Sequence, residues 1–426
     1  MWDLPAGSLR RETLRNKGIS LKWMWLVALM ALTALVAAAC GDDDDGAGGG
    51  GGAVTYGKAG FTTITIDAGA PVKIGISSVL SGDLKGLGEP IANAAALAGE
   101  GKDIKGHKIE FVRKDDSCTA EGGASAAAQI LQENVVAAVG PICSGGVVAA
   151  QTQYEAKGVS HVSPSSTAIK PTTPDRGQVF QTFFRVTYND SIQGPAQATF
   201  AKDKLGAKTA YIVYDTDAYG AGLRDAFRAA FVKGGGKIVG SPEGFEKKAT
   251  DFKSIVTNIQ AAKPDLVYFA GFYAEATPFI KQLRAADKNV KFLAGDGVKN
   301  DEFTKGAGAD AEGAYLSLPS PVLTGPAYEA FGTAYEKATG AKRDASPFVA
   351  ESYDAATVII NALNKVAVDD GGKLKIDLKK LNEEIRKTDL NGASGKIKFD
   401  ARGDNAGGAT PVTLFVIKDG KYAEQK

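Results

Sequence analysis

Two polar turns that follow predicted strands could together bind an anion. Residues 140–146 (GPICSGG) follow a strand predicted at 135–139 and lead into a helix, so Ser144 should lie near a helix N-terminus, where amide groups and the helix dipole favour negative charge. Residues 163–167 (SPSST) follow the next predicted strand and present hydroxyls beside main-chain amides. Together the turns predict a carboxylate cradle, although helix capping by Ser and Thr is the simpler explanation of either turn alone.

A complementary set of side chains follows three strands predicted later in the chain. Asp296 could pair with an ammonium group, and Tyr219 and Phe272 could cover an apolar side chain. Taken singly, a strand-end Asp is usually a helix cap and an aromatic residue usually lies in the core. Because ligands of open α/β sheets bind beyond the carboxyl ends of strands, the two sets together predict a zwitterion site between two lobes.

The composition argues against metal, nucleotide and histidine-based chemistry. The chain has only two histidines, His107 and His161, and no His/Cys cluster has zinc-ligand spacing. Neither a phosphate-binding loop nor a dinucleotide glycine fingerprint follows any predicted strand. We therefore expect no metal, no cofactor and no enzymatic activity. A hydrolase using Ser144 or Ser163 is the remaining catalytic alternative, but a nucleophile-elbow motif is absent.

The N-terminus has the three parts of a secretory signal peptide. A basic flank precedes an apolar run over 23–39, and Ala37, Ala38 and Ala39 lead directly into Cys40. We predict a lipoprotein signal peptide over residues 1–39, with Cys40 acylated as the new N-terminus. The alternative is an uncleaved transmembrane helix, for which the run is at the short end. The chain is thus expected outside the cytoplasm, held at the cell membrane by its lipid.

The segment behind Cys40 predicts a flexible tether. Residues 41–53 contain only Gly, Asp and Ala, so they have no apolar side chain to bury. We extend this tether over residues 40–70. Four successive aspartates at 42–45 lack the spaced ligands of a calcium loop and are interpreted as a solvated spacer.

The net charge argues against one class of partner, and the cysteine content suggests a disulfide. The 426-residue chain has a formal net charge of +1 and no basic patch, so nucleic acid is not an expected partner. With Cys40 lipidated, Cys118 and Cys143 remain as one pair. In an oxidising compartment a disulfide is favoured, and two free thiols are the alternative.

From residue 71 the chain alternates β-rich and helical patterns, and the alternation restarts at residue 209. This is the rhythm of parallel sheets covered by helices on both faces. We predict an α/β protein of two doubly wound parallel-sheet lobes, lobe 1 from 71–187 and 320–400 and lobe 2 from 188–319 and 401–426. The predicted strands are 72–76, 108–112, 135–139, 159–162, 209–214, 237–239, 265–269, 291–293, 314–318, 396–399 and 412–417. The predicted helices are 90–97, 124–133, 147–156, 222–231, 252–261, 274–285, 326–339, 352–366 and 378–388.

Several motifs recur in an order typical of one family. They are DDSC at 115–118, GPICS at 140–144, SPSST at 163–167, DAYGAGL at 217–223, GDG at 295–297, SYDA at 352–355 and GKIKFD at 395–400. From about residue 71 to its end, the chain resembles the branched-chain amino acid-binding lipoproteins of bacterial ABC transporters, which are periplasmic binding proteins of type I.

The resemblance implies a site and a motion. The hydroxyls of Ser144 and Thr167 and the main chain of Ser165 would hold the α-carboxylate and α-ammonium of an amino acid, and Asp296 would face the ammonium. Tyr219, Phe272 and Tyr353 would line the second side of the cleft, and Cys118 and Cys143 match the family's disulfide. The lobes would close like a hinged clamp about crossovers near 186–188, near 317–319 and late in the chain.

Three departures from the family pattern leave the preferred side chain open. Asp296 stands where the leucine-binding pattern has Glu, and Phe272 takes a place often held by Tyr. Leu87 falls in the 81–88 loop, where an aromatic residue often contacts the ligand. Recognition of the carboxylate and ammonium should survive, whereas amides, urea or aromatic acids are alternatives to an aliphatic amino acid.

The resemblance implies the substrate-binding component of an ABC importer. Its expected partners are leucine, isoleucine, valine or a similar amino acid, the permease subunits, and the membrane through the lipid. The alternative is a sensor of the same fold that reports ligand state to a receptor, which the residues alone do not distinguish from a transporter component.

Overall fold

The computed structural model describes residues 54–173, 178–408 and 412–425. The predictions for the signal peptide, for Cys40 and for the tether over 40–53 lie outside these residues. The described residues belong to one compact unit that runs from Ala53 to Lys426. Among the described helices, none combines the length and the apolar character that crossing a bilayer requires.

The first part of the chain builds a six-stranded sheet, with the order β3-β4-β2-β5-β6-β7. Its strands are parallel except for the short β3, and the part built on it is called lobe 1. The elements are β1 (Thr63–Ile66), β2 (Val72–Ser78), α1 (Lys85–Leu97), β3 (Asp103–Ile104), β4 (His107–Asp115), α2 (Ala120–Gln132), β5 (Ala137–Val139), α3 (Ser144–Lys157), β6 (Ser160–Ser163) and β7 (Phe183–Arg185).

The middle of the chain builds most of an eight-stranded sheet, and the part built on it is called lobe 2. Its order is β10-β8-β11-β12-β13-β18-β19, with β9 beside β8. The elements are α4 (Asp190–Asp203), β8 (Thr209–Asp215), α5 (Ala218–Lys233), β9 (Lys237–Ile238), β10 (Glu243–Phe245), α6 (Lys253–Ala262), β11 (Leu266–Ala270), α7 (Tyr273–Ala286), β12 (Lys291–Ala294), α8 (Asp301–Ala307) and β13 (Tyr315–Leu318).

The last part of the chain returns to lobe 1 and then to lobe 2. Helix α10 packs against α1, and β18 adds antiparallel to β13. The elements are α9 (Pro326–Thr339), α10 (Val349–Val366), β14 (Val368–Asp370), β15 (Lys373–Asp377), α11 (Leu378–Arg386), β16 (Asp389–Gly392), β17 (Gly395–Lys398), β18 (Thr413–Lys418) and β19 (Lys421–Gln425). The predicted fold of two doubly wound lobes is confirmed, whereas the predicted lobe boundaries stay predictions.

The central strands are buried on both faces, which explains their continuous apolar sequences. In β11 all five residues are buried, and its Tyr268 stacks on Phe227 of α5 with ring centroids 3.7 Å apart. The apolar cluster of lobe 2 also reaches Leu87 and Ile142 of lobe 1. The two lobes therefore touch around the carboxyl ends of their strands.

The predicted tether is wrong for residues 54–70, because this segment packs on lobe 1. Strand β1 pairs antiparallel with β15, which places Ile66 opposite Leu374, and both side chains are buried. The amide of Gly60 also donates to the carbonyl of Glu155 at 2.8 Å. The compositional argument applies to residues 41–53, whereas the Thr-Ile-Thr-Ile alternation at 63–66 is a strand pattern with one buried face.

Helix α1 begins five residues before the predicted start, so Leu87 lies on its first turns instead of in a loop. Pro90, interpreted as the first helical residue, lies inside the helix. Because Pro90 has no amide proton, the carbonyl of Gly86 has no helical partner, and it accepts a 3.1 Å hydrogen bond from the side chain of Asn300 in lobe 2. Helix α4 was not predicted at all, since Gly194 and Pro195 interrupt its pattern.

Candidate functional site

A small, partly open space lies between the carboxyl ends of the two sheets. Its volume is about 290 Å³ when all space not filled by atoms is counted, including the solvent at its mouth. Lobe 1 contributes residues that follow β5 and β6, and lobe 2 contributes residues that follow β8, β11 and β12. The lining residues are Leu87, Ile142, Cys143, Ser144, Ser165, Tyr219, Phe272, Asp296, Gly297 and Phe348. This space is called the interlobe cavity.

On the lobe 1 side, hydroxyls gather at the N-terminus of α3. Ser144 is the first residue of that helix, and its Oγ accepts a 3.2 Å hydrogen bond from the amide of Ala168 and one of 3.3 Å from Ser166 Oγ. Ser165 Oγ donates to the carbonyl of Ile142 at 2.8 Å. The structure thus brings the two predicted turns together beside a helix end that favours an anion.

A disulfide fixes the start of this helix. Cys143 precedes Ser144 and is bonded to Cys118, with the two Cα atoms 5.2 Å apart, which confirms the predicted pairing. Beneath it, Asp116 accepts hydrogen bonds from the amide of Cys118 at 3.0 Å and from Ser77 Oγ at 3.1 Å. Burial raises the pKa of Asp116 to about 6.

An arginine that sequence reasoning missed holds the second turn. Arg185 of β7 is fully buried and donates to the carbonyls of Ser166 and Ala168, each at 2.7 Å. Its Nε donates to Asp404 at 2.5 Å, so the buried guanidinium is paired. Arg185 therefore fixes the main chain of the turn whose Ser166 hydroxyl and Ala168 amide donate to Ser144.

On the lobe 2 side, an acid is held by an aromatic hydroxyl. Tyr219 of α5 donates to Asp296 Oδ1 at 3.0 Å, and its oxygen accepts from the amide of Gly297 at 3.0 Å. The Tyr219 and Phe272 rings pack with centroids 5.0 Å apart. Asp296 is 4% exposed, and burial raises its pKa to about 6. The predicted residues Tyr219, Phe272 and Asp296 therefore lie together.

Gly297 allows this close approach. A Cβ built there would lie 2.7 Å from the carbonyl oxygen of Gly271, closer than real Cβ contacts come. The glycine therefore lets the turn after β12 pack directly against the end of β11. This turn is what carries Asp296 into the cavity.

A second buried acid, Asp190, was missed. Both carboxylate oxygens of Asp190 are buried and have no hydrogen-bond partner among the described residues. Burial raises its pKa well above 3.8, and the nearby charge of Asp296 raises it further. The amide of Asp190 donates to the carbonyl of Thr167 at 2.8 Å. Neither Asp190 nor Asp296 forms an ion pair among the described residues, and the charge of Arg185 offsets the rise in the Asp190 pKa only in part. Two buried acids beside the cavity favour a positively charged ligand group.

Two predicted residues lie outside the cavity lining. Thr167 is fully buried next to Asp190, and its hydroxyl slightly offsets the rise in the pKa of that acid. Tyr353 was expected to line the cleft, but it packs in lobe 1 against Phe331, with ring centroids 5.1 Å apart. Residue 353 lies on the second turn of α10, and its contact with a ligand stays a prediction. Phe348, which immediately precedes this helix, lines the cavity instead.

The catalytic alternative lacks a nucleophile paired with a base. Ser163 Oγ donates to the carbonyl of Pro141 at 2.7 Å. His161 is buried, stacks on Tyr154 at 4.3 Å, and contacts the carbonyl of Gly140 through Nδ1 at 3.1 Å. Burial lowers the pKa of His161 to about 4, and no hydrogen bond joins it to Ser144 or Ser163 among the described residues. In the same part of the chain, no His, Cys, Asp and Glu side chains form a group able to hold a metal.

Comparison with known proteins gives a consistent set of relatives. A family model described as periplasmic binding protein matches residues 71–421. A leucine-, isoleucine-, valine-, threonine- and alanine-binding protein of Pseudomonas aeruginosa is 28% identical over 351 residues, 81% of this chain and 90% of that protein. A leucine-specific-binding protein of Salmonella typhimurium is 28% identical over 360 residues, 82% of this chain and 93% of the relative.

Solved structures agree with these relatives. The leucine-binding protein LivK of Thermotoga maritima superposes with a TM-score of 0.74 at 28% identity, covering 83% of this chain and 98% of that one. The branched-chain amino acid transporter substrate-binding protein LivJ of Streptococcus pneumoniae, in complex with isoleucine, superposes with a TM-score of 0.73 at 27% identity. That match covers 83% of this chain and 99% of that one.

Proposed function

Because this chain belongs to the periplasmic binding protein family, we propose that it captures an amino acid in the interlobe cavity and delivers it to an ABC importer. The observation that carries the proposal is the pair of buried acids, Asp190 and Asp296, neither of which forms an ion pair among the described residues. Two buried acids so close together are costly unless a cation neutralises them. An α-ammonium group is a cation of suitable size.

The α-carboxylate is assigned to the opposite side. The N-terminus of α3, with the Ser144 hydroxyl, and the main chain of the turn that contains Ser165 supply donors for an anion, since the Ser165 hydroxyl already donates to the carbonyl of Ile142. Thr167 lies next to Asp190 and is placed at the ammonium end. The distribution of donors and acids supports a zwitterion whose two charges point to different lobes.

The side chain of the ligand is proposed to be aliphatic and branched. Leu87, Ile142 and Phe348 line the cavity together with the rings of Tyr219 and Phe272, so the space beyond the charged groups is apolar. The relatives named above are binding proteins for leucine, isoleucine, valine and similar amino acids. Asp296 is shorter than the Glu of the family pattern, and the nearby Asp190 adds a second carboxyl group at this end of the cavity.

We also propose where the protein acts in the cell, from its N-terminal sequence and its family. We place the chain outside the cytoplasm, anchored through a lipid on Cys40, with the permease subunits of an importer as its protein partners. Because the ligand is bound and released unchanged, no covalent chemistry is assigned to it. Incorporation of labelled palmitate into the wild-type chain, and its loss in Cys40→Ala, would test the anchor.

Native mass spectrometry tests the proposed ligand without a prior choice of compound. Protein purified without added ligand should carry a retained mass equal to that of an aliphatic amino acid, and denaturing conditions should release it. Since Asp296→Asn removes one of the two acids, the same preparation of this variant should carry less ligand. A retained mass of another chemical class would replace the proposed ligand, and unaltered retention by Asp296→Asn would remove this acid from the site.

A further inference from the structure

A lysine of lobe 2 reaches across the cleft to lobe 1. Lys247 follows β10, and its Nζ donates to the main-chain carbonyl of Cys118 in lobe 1. The same ammonium lies 2.9 Å from Asp217 and 4.0 Å from Asp215, both in lobe 2. The Lys247 side chain is 18% exposed, and its Nζ lies 5.0 Å from the centroid of the Phe272 ring. This contact therefore joins the two lobes at the edge of the cavity.

A carboxylate of lobe 2 makes a second contact at the same place. Asp217 caps α5 by accepting from the amide of Ala218 at 2.7 Å. It also lies directly over Gly145, on the first turn of α3 in lobe 1, so that a Cβ built on Gly145 would overlap the carboxylate. The unpaired amides at a helix N-terminus make this turn attractive to a negative charge. We call Lys247, Asp217, Cys118 and Gly145 the latch.

The latch is coupled to the ligand site by short covalent connections. Cys118 is bonded to Cys143, which lines the cavity, and Gly145 follows Ser144. Two other contacts between the strand ends of the lobes are neutral hydrogen bonds, from Tyr273 Oη to the carbonyl of Asp83 at 2.7 Å and from Asn300 to that of Gly86 at 3.1 Å. The latch differs from these contacts because it carries charge.

Opening the lobes would cost the latch groups their lobe 1 partners. Lys247 would keep Asp217 but lose the carbonyl of Cys118, and Asp217 would leave the first turn of α3. Lys247 is also the cation that interacts with the buried acids Asp215 and Glu275, so it is held in place when the lobes separate. The ion pair between Lys247 and Asp217 lies entirely within lobe 2. The hydrogen bond from Lys247 to Cys118 is a separate contact that only closed lobes allow.

We propose that the latch holds the lobes closed over the ligand, with Lys247 as a positioning residue that sets the rate of ligand release. The inference rests on the proposed function, since it concerns the same cavity. The charge-assisted hydrogen bond from Lys247 is made only when the lobes are closed. Its loss should therefore leave the association rate of the ligand unchanged and raise the dissociation rate. The latch therefore acts on dissociation more than on association.

The test compares Lys247→Met with Lys248→Met in the full chain by stopped-flow measurement of leucine release. Lys248 is the adjacent residue, its side chain is exposed, and only its main chain makes a hydrogen bond, to Glu275. We expect Lys247→Met to raise the dissociation rate about tenfold with little change in the association rate. Lys247→Arg should restore slow release, and Lys248→Met should match wild type. Thermal unfolding of the ligand-free variants shows whether lobe 2 itself has been damaged.

A pair of glycine variants tests the second contact independently. Gly145→Ala adds a methyl group that meets Asp217, whereas Gly222→Ala adds one whose nearest neighbour is 3.7 Å away. Both lie in helices, where Ala is favoured over Gly, so neither variant should unfold the protein. Faster release in Gly145→Ala alone supports the latch.

Wild-type release rates in both Lys247→Met and Gly145→Ala would overturn it. If wild type binds no amino acid, the proposed function fails, and the latch is then judged by small-angle scattering of the ligand-free proteins. Lys247→Met and Gly145→Ala should each give a larger radius of gyration than their controls, and equal radii would overturn the latch.

Discussion

The hydroxyl of Tyr219 donates a hydrogen bond of 3.0 Å to Asp296 and accepts one of equal length from the amide of Gly297. The proton of the Tyr219 hydroxyl is thus used by Asp296. The tyrosine gives this acid a hydrogen bond but no positive charge. Asp296 consequently remains a buried acid whose pKa is raised to about 6. A ligand ammonium would supply the positive charge that Tyr219 does not.

Replacing Asp296 by Asn should weaken amino acid binding at least about thirtyfold, equivalent to roughly 2 kcal/mol, because a buried ammonium would lose a charged partner. Calorimetric titration with leucine measures the change. Asp225→Asn is the matched control, since that acid is 60% exposed and paired with Arg224. Equal affinities for both variants would place Asp296 outside the site.

As the pH falls from 7 to 5, the stability of the ligand-free protein should rise and its affinity for the ligand should fall. Folding raises the pKa of Asp296 from 3.8 to about 6, so its ionised form destabilises the fold above pH 6 and this cost disappears as the pH falls towards 4. A ligand ammonium needs the ionised form. We expect affinity to be flat above pH 7 and to fall by up to tenfold per unit below pH 6, with a shallower fall in Asp296→Asn. Titrations between pH 5 and 8 measure this, and a flat wild-type profile would contradict it.

Asp190→Asn should lower affinity more than tenfold while stabilising the ligand-free protein by about 1 to 3 kcal/mol, because it removes a carboxyl group whose ionisation is disfavoured by burial. Denaturant unfolding and titration with leucine give the two quantities. Asp203→Asn, at the exposed end of the same helix, should change neither. Unaltered affinity in Asp190→Asn would mean that this acid serves the fold alone.

Ile66→Ala should destabilise the protein by about 2 to 3 kcal/mol, because its side chain is 9% exposed and packs in the lobe 1 core. Thr65→Ala, on the exposed face of the same strand, should change the free energy of unfolding by no more than about 0.5 kcal/mol. Both values come from denaturant unfolding of the full chain. Equal stabilities would show that residues 63–66 contribute nothing to the fold.

Local patterns were sufficient to predict the central strands of both sheets, because parallel strands are buried on both faces and appear as short apolar runs, such as 266–270. The edge strands β3, β7, β10 and β19 were not predicted. They were insufficient where a partner is distant in sequence. Strand β1 pairs with β15, more than 300 residues away, and nothing near residue 63 indicates that partner.

In the candidate site, too, local patterns predicted some residues and missed others. Ser144, Tyr219 and Asp296 follow predicted strands, so the rule about carboxyl ends of strands was enough to find them. Asp190 follows the capping residue Asn189 and looks like an ordinary acid in a first helical turn. Tyr353 and Phe348 are separated by the start of α10, and the choice between them depends on where that helix begins.

Isothermal titration calorimetry tests the central claim most directly. The full chain, stripped of bound ligand by unfolding and refolding, is titrated with leucine, isoleucine and valine, with glutamate as a control of different side-chain chemistry. The account predicts saturable one-site binding of at least one branched-chain amino acid, tighter than that of glutamate. The absence of a saturable signal with all three, from protein whose refolding is confirmed by a cooperative unfolding transition, would contradict it.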